Sequence, residues 1–553
     1  MKLRRGRCTR ITLGLMLLSG AFIAKSSEIP RIDTGEMETR VRVLIEQTRK
    51  ELENDIDTAI AWAQMARVLH AHDLTDAALI CYAEANRRED DDYRWLYLAA
   101  VAAADRSPAR SAEYFGQAAL LQPNDSVFFI EFADVLTRLG RYDQARTAYG
   151  EAMEIDGRSI FARIGLARLA LIRGELKDAR TILERARDLS PRHNNVHTLL
   201  ARVYQRSGDR ILASEAGRLA RVHKKRLKPY SPVISAMANL AVSAQAYRRR
   251  GARQAELGNL ADAEWAYRQV LIIRAGSPED FLNLATVLWE LGKHTEALGH
   301  FASGLKLNPD HIELLSHQGR AYADIGQFDR AAKLLARAID ENPGFADAHL
   351  NSGVLRLRQE RFEEAVEHFE HALTLDPSLY PVYLDLSDGY AGSGKLEAAA
   401  LTLQRLRAIE PDGEVGLRKL GLIQARLGHY DEAIEALAHA QAIVPTHVET
   451  TYLLARLFAT APKASSRDAP RALAMAMDLY RIRPHDAGLA DLLAMAYAAV
   501  GEFDKAIRLS ERAIDIAGNK PRLVAALNVR LDLYRNKRPI YLPDEGMQIV
   551  VNL

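Results

Sequence analysis

One spacing recurs along most of this chain. Gly140 lies within Leu139-Gly140-Arg141-Tyr142-Asp143-Gln144-Ala145, and matching glycines follow at Gly174, Gly208, Gly258, Gly292, Gly326, Gly394, Gly428 and Gly501. The step is 34 residues, except for 50 between Gly208 and Gly258 and 73 between Gly428 and Gly501, with Glu360 filling the slot of its own repeat. Counting back by 34 puts Arg106 and His72 in that slot. A period of this length means that each repeat is one small unit unable to bury its apolar face alone, so that a core forms only by stacking neighbours.

The positions around the slot carry physical meaning. Alanine falls five places after it at Ala145, Ala179, Ala213, Ala263, Ala297, Ala331, Ala365, Ala399, Ala433 and Ala506. A small residue falls seven places before it, as at Ala133, Ala167, Gly251, Gly319, Gly353 and Gly421. Small residues there let two facing helices approach closely. Bulky apolar residues lie nine places after the slot, including Phe115, Tyr149, Leu183, Tyr267, Phe301, Leu335 and Phe369. Proline at Pro123, Pro191, Pro309, Pro343, Pro377, Pro411, Pro445 and Pro484 stops the second helix, because it cannot donate to the helical ladder.

This pattern resembles the tetratricopeptide-repeat (TPR) family, with Gly, Ala, aromatic and Pro in matching slots over almost all of residues 58 to 520. The resemblance implies an all-α solenoid, a right-handed superhelix of antiparallel helix pairs with about 13 repeats. Residues 27–57 read as an N-terminal segment with a capping helix, carrying Val41, Leu44, Ile45, Leu52 and Ile56 at helical spacing. Five repeats occupy 58–227. The fifth departs from the pattern, with Gly217 in the bulky slot and Lys225 in the proline slot. Residues 228–243 then interrupt the period and read as an exposed insertion or hinge open to proteases. About eight repeats follow over 244–520, then a capping helix over 521–535 and a tail over 536–553. Trp62 to Tyr82 and Arg530-Leu531-Asp532-Leu533-Tyr534 also resemble a set of exported bacterial TPR proteins.

The N-terminus is a separate object. Lys2, Arg4, Arg5, Arg7 and Arg10 precede an apolar run from Ile11 to Ala24, with small residues suited to cleavage near Ser26. Such a run is short of the roughly 20 residues needed to span a bilayer core, so residues 1–26 read as an export signal. The expected location is periplasmic or secreted in a bacterium, the alternative being an inner-membrane anchor. Cleavage would leave 68 Lys and Arg against 72 Asp and Glu, a mildly acidic chain with Cys81 as its one thiol. Membrane contact is expected only if the segment stays uncleaved.

Enzyme motifs are approached and missed. Gly389-Tyr390-Ala391-Gly392-Ser393-Gly394-Lys395-Leu396 nearly spells a phosphate loop, but Leu396 stands where the magnesium-binding hydroxyl belongs. His70-Ala71-His72-Asp73 and the pair His368 and His371 lack a third protein ligand for zinc. Cys81 falls in the bulky slot of its repeat, which suits packing better than nucleophilic attack. Two cysteines in all exclude a disulfide scaffold, and a formal charge of +2 argues against a nucleic-acid-coating protein. No catalytic residue, metal or cofactor is expected.

The expected function is therefore a non-catalytic scaffold binding a protein or peptide in a superhelical groove. The alternatives are a structural part of envelope or exopolysaccharide-secretion machinery, and a regulatory subunit of a separately encoded enzyme such as a glycosyltransferase. In the resembled family the groove comes from the first helix of each repeat. Carrying those positions over gives an apolar stretch of Trp62, Tyr93, Tyr97, Ile130, Phe161 and Ile164. It also gives a basic zone of Asn195, Arg202, Arg206, Arg248 and Arg249, and a mixed zone containing Asn283, Trp289, Arg320 and Asn351. The basic zone suits a partner with an acidic segment.

Overall fold

The computed structural model describes residues 28–89, 91–222, 229–274, 276–463 and 466–542, and among these it contains twenty-nine α-helices and no strand. The fold is an all-α array of antiparallel helix pairs. The proposed export signal lies outside the described residues. No described helix is long and apolar enough to cross a membrane.

One repeat shows why the pattern folds as it does. In the pair Ile312–Asp324 and Phe328–Glu341, Gly326 adopts φ +77° between the helices. There the Gln327 N–H donates to the Tyr322 carbonyl at 2.8 Å, and the Gly326 N–H donates to the Ala323 carbonyl at 3.1 Å. These bonds satisfy carbonyls that a helix end otherwise leaves bare. Nothing lies within 4 Å of where a Cβ on Gly326 would stand, so the backbone conformation selects glycine and not a lack of room. The small residue seven places earlier is chosen for the opposite reason. A Cβ on Gly319 would stand 2.7 Å from Leu335, one on Gly353 2.6 Å from Phe369, and one on Gly421 2.5 Å from Leu437. The small slot thus seats the bulky slot of the same repeat.

The first repeat corrects the numbering by one residue. Positive φ falls on Asp73 at 62°, not on His72, and the Leu74 N–H closes the turn onto the Leu69 carbonyl at 2.9 Å. Its bulky slot is therefore Tyr82 and not Cys81, although both are buried.

The helices divide into two compact units, one comprising Met1–Ile182 with Lys228–Ala246, the other Leu183–Leu227 with Tyr247–Leu553. The division falls inside helix Leu176–Leu189, whereas the sequence places the break after the fifth repeat. The reason is the behaviour of the interruption. Residues 229–243 contain a helix, Pro232–Ala238, that packs on the first helices of repeats one and two, Ala59–Ala71 and Tyr93–Ala103. An interruption of the period is here a segment of the first unit, and the expectation of an exposed connection is corrected for the described part of it.

In the first unit, helix Thr39–Asn54 covers the first repeat through Val41, Ile45, Thr48 and Leu52. In the second, helix Pro521–Arg535 caps the last repeat through Leu527, Leu531 and Tyr534. The chain then turns back, burying Ile540 and Leu542, and the Leu542 N–H donates to the Thr460 carbonyl at 2.8 Å.

Candidate protein-binding surface

In the first unit the apolar stretch expected to line the groove is largely covered. Trp62 and Tyr97 are fully buried, and Ile130 and Ile164 nearly so. Trp62 was assigned to the groove wall through the one-residue slip. Its indole N–H donates to the Ile56 carbonyl at 2.7 Å and Arg88 lies over its ring, which makes it a core residue. Tyr93 and Phe161 remain half-buried. Tyr93 stacks on Tyr97 and meets Phe128 edge-on, an arrangement that adds to area burial. The Tyr97 hydroxyl donates to Glu131 at 2.9 Å, and burial together with that carboxylate pushes its pKa up.

Residues 229–243 contribute to the covering over helices Ala59–Ala71 and Tyr93–Ala103. The Ser231 hydroxyl caps the short helix by accepting from the Ile234 N–H at 3.3 Å. Met237 enters the same core as Trp62, Leu69 and Trp95, with Val233, Ile234, Leu240 and Val242 packed half-buried against it. At the far end the Ala244 N–H donates to Glu38 at 2.9 Å.

In the second unit the first helices carry a polar network that passes from repeat to repeat. Asp324 accepts from Arg320 at 3.1 Å and from Arg358 of the next repeat at 2.7 Å. Asn351, itself buried, donates to the Ser316 hydroxyl at 2.9 Å and receives Arg320 at 3.4 Å. One repeat further on, Asp388 accepts from Lys419 at 2.5 Å. Arg418 then pairs with Glu449 at 2.7 Å. Asp385 sits among these charges, and burial holds its carboxyl above the usual range against the pull of Arg320, Lys419 and Arg358.

The remaining candidates divide by environment. Arg248 makes a two-pronged ion pair with Asp280, whose side chain is 1% exposed. Burial opposes ionisation of Asp280, but the Arg248 guanidinium and the Ser277 backbone N–H hold its pKa low. Arg248 therefore holds the turn before helix Pro278–Glu290. Arg202, Arg206 and Arg249 are exposed, while Asn195 and Asn283 are half-buried. Trp289 packs against His294 with ring centres 4.2 Å apart. Arg358, Asp324, Lys419 and Arg418 were missed by the sequence reading, although Asp324 and Arg358 both stand two places before the slot, as Arg206 does, and Lys419 stands nine places before it, as Asn283 and Asn351 do.

The residues considered for enzyme chemistry have structural places. Gly394 forms a repeat turn at φ +79°, and burial pushes the Cys81 thiol up to about 12. The rings of His368 and His371 pack around His349. Among the described residues no group of three or more His, Cys, Asp or Glu is placed to hold a metal ion.

Comparison with known proteins agrees with the repeat pattern. Models of the tetratricopeptide repeat match residues 136–203, 316–379, 356–419, 419–447 and 489–523. The human protein O-mannosyl-transferase TMTC3 is 26% identical over 312 residues, covering 56% of this chain and 30% of that protein. The Arabidopsis thaliana Hsp70-Hsp90 organizing protein 2 is 27% identical over 247 residues, covering 43% of this chain and 39% of that protein. The matched region spans well under two thirds of the length of either relative. Among solved structures, Cut9-Hcn1 of the APC/C superposes at a TM-score of 0.41 with 13% identity, covering 91% of this chain and 97% of that one. Yeast Tom70 gives 0.31 with 13% identity, covering 81% of this chain and 97% of that one.

Proposed function

Since this chain belongs to the tetratricopeptide-repeat family, whose members mediate protein–protein contacts, we propose that it is a non-catalytic scaffold. Its partner, a protein or peptide, would lie along the first helices of the second unit. The observation that carries this reading is the network running through Ser316, Arg320, Asp324, Asn351, Arg358, Asp388 and Lys419. Its bonds lie on the first helices of four consecutive repeats, with half-buried Asp385 between its two groups in sequence. Paired side chains at fixed spacing present alternating donors and acceptors, which fix register and exclude wrong partners more than they add raw affinity. Exposed Arg202, Arg206 and Arg249 suit an acidic stretch in that partner. We also propose export, on the basic-then-apolar start of the chain.

The test is site-specific crosslinking in the native cell. A photoreactive residue at Leu384, half-buried on the first helix beside Asp385, should give a discrete adduct. The same residue at Glu367, exposed on a second helix, should not. Equal adducts from both positions would remove the proposal. N-terminal sequencing of the mature protein tests export, and a cytoplasmic protein retaining Met1 would refute it.

A further inference from the structure

The short segment lying on the first unit has the features of a ligand more than of a repeat. It breaks the 34-residue period, and its seven-residue helix is far below the ~12 residues at which an isolated helix becomes marginal in water. Its order therefore derives from the surface beneath it. That surface is the row of first helices, Ala59–Ala71 and Tyr93–Ala103, the face on which repeats of this kind present a groove. The attachment is light. Ser231, Met237 and Ala241 are buried, but Val233, Ile234, Leu240 and Val242 are only half-buried, and Pro232, Ala236, Ala238 and Asn239 are exposed. Residues 229–243 contain no charged side chain. They match the apolar, aromatic character of Tyr93, Tyr97 and Trp95, with Val233 and Ile234 packed against the clusters that hold those rings.

We propose that the inner face of the first unit is a docking groove for a short uncharged helix, and that the chain's own residues 229–243 occupy it as a displaceable internal ligand. The partner class is a segment of the same chemistry. It would have a small hydroxyl residue at the helix start and branched or methionine side chains at the places of Val233, Ile234 and Met237, seated in the helix-in-groove mode. A tethered occupant acts at an effective concentration of order millimolar. A partner in trans is thus admitted only when it binds more tightly than the segment or when the segment is drawn away. This proposal is independent of the polar network in the second unit, and either can fail alone.

The experiment uses the full chain and a fluorescein-labelled peptide of residues 229–243 as probe. In the wild type the peptide should bind weakly. In the double variant Ile234→Asp and Met237→Asp, which alters the segment and leaves the groove intact, it should bind at least tenfold more tightly by fluorescence anisotropy. Equal affinity for the two proteins would overturn the proposal. A variant that dimerises and takes up no peptide would also overturn it, assigning the groove to a second copy. A measurement on the unaltered protein guards against a variant that fails to fold. The amides of Ser235 and Asn239, which close the short helix onto Ser231 and Ser235, should exchange with solvent at least a hundredfold faster than those of helix Tyr93–Ala103. Equal protection would make the segment a fixed part of the core and overturn the proposal.

Discussion

Gly353 lies against the ring of Phe369, so close that a Cβ on it would stand 2.6 Å from the ring. Small and bulky slots of one repeat are thus two halves of one contact. Gly353→Ala should destabilise the second unit by about 1–3 kcal/mol, the usual cost of overpacking a filled core. Gly299, in helix His294–Leu307, has open space where its Cβ would be. Gly299→Ala should stabilise by up to about 1 kcal/mol, because only helix propensity changes there. Thermal melts of both variants check the pair, and similar shifts of the same sign would contradict the contact.

Glu360 occupies the glycine slot of its repeat at φ +58°. The left-handed conformation costs an ordinary residue roughly 1–2 kcal/mol, partly offset by the smaller entropy it loses on folding relative to glycine. Glu360→Gly should raise stability by about 1 kcal/mol, read as a higher denaturant midpoint. A lower midpoint would mean that the Glu360 side chain contributes something its backbone does not reveal.

These slots were legible because each repeat is a local object. Gly140 through Gly501 marked the turns, the residues nine places on marked the seats, and Leu527, Leu531 and Tyr534 marked the closing helix. Two things were not legible, for different reasons. The first repeat lacks its glycine, and Asp73 takes the left-handed turn one residue later than the count suggests, which moved Trp62 from core to groove. Residues 229–243 carry no period at all. Their packing partners, Trp62 and Tyr97, lie more than a hundred residues earlier, so local pattern says nothing of the contact. The polar network was half legible. Arg320 and Asn351 were named, while Lys419, at the place of Asn351 in its own repeat, and Arg358, at the place of Arg206, went unnoticed.

Acidification should weaken the first unit. Burial lowers the His70 pKa from 6.5 to about 4, against the opposing charge of Asp73. Between those values the unfolded chain binds a proton that the folded chain refuses, so stability falls as pH drops from 6.5 towards 4, by at most about 3 kcal/mol for this group. His70→Gln should flatten that slope in circular-dichroism melts between pH 7.5 and pH 5. An unchanged slope would show that His70 takes up its proton without unfolding.

The pair Arg248 and Asp280 should behave as a buried ion pair. Asp280→Asn leaves the guanidinium without its carboxylate and weakens the cap at Ser277, and loss of about 3 kcal/mol is expected. Because the folded-state pKa of Asp280 is depressed, the contribution is fully present above the ordinary carboxylate value and is lost as pH falls from there through the lower folded-state value. Urea unfolding at pH 7 and pH 3 checks both statements. The variant should differ from the wild type mainly at pH 7.

The first helices of the second unit are the proposed binding face. With the partner recovered by crosslinking at Leu384, its affinity for purified full-length protein can be measured by titration calorimetry for two charge reversals, Asp388→Lys and Glu367→Lys. Asp388 pairs with Lys419 on the inner network, whereas Glu367 is exposed on a second helix. The account predicts at least tenfold weaker binding for Asp388→Lys and unchanged binding for Glu367→Lys, with equal helicity in both. Unchanged binding for Asp388→Lys, or equal losses for the two, would contradict it.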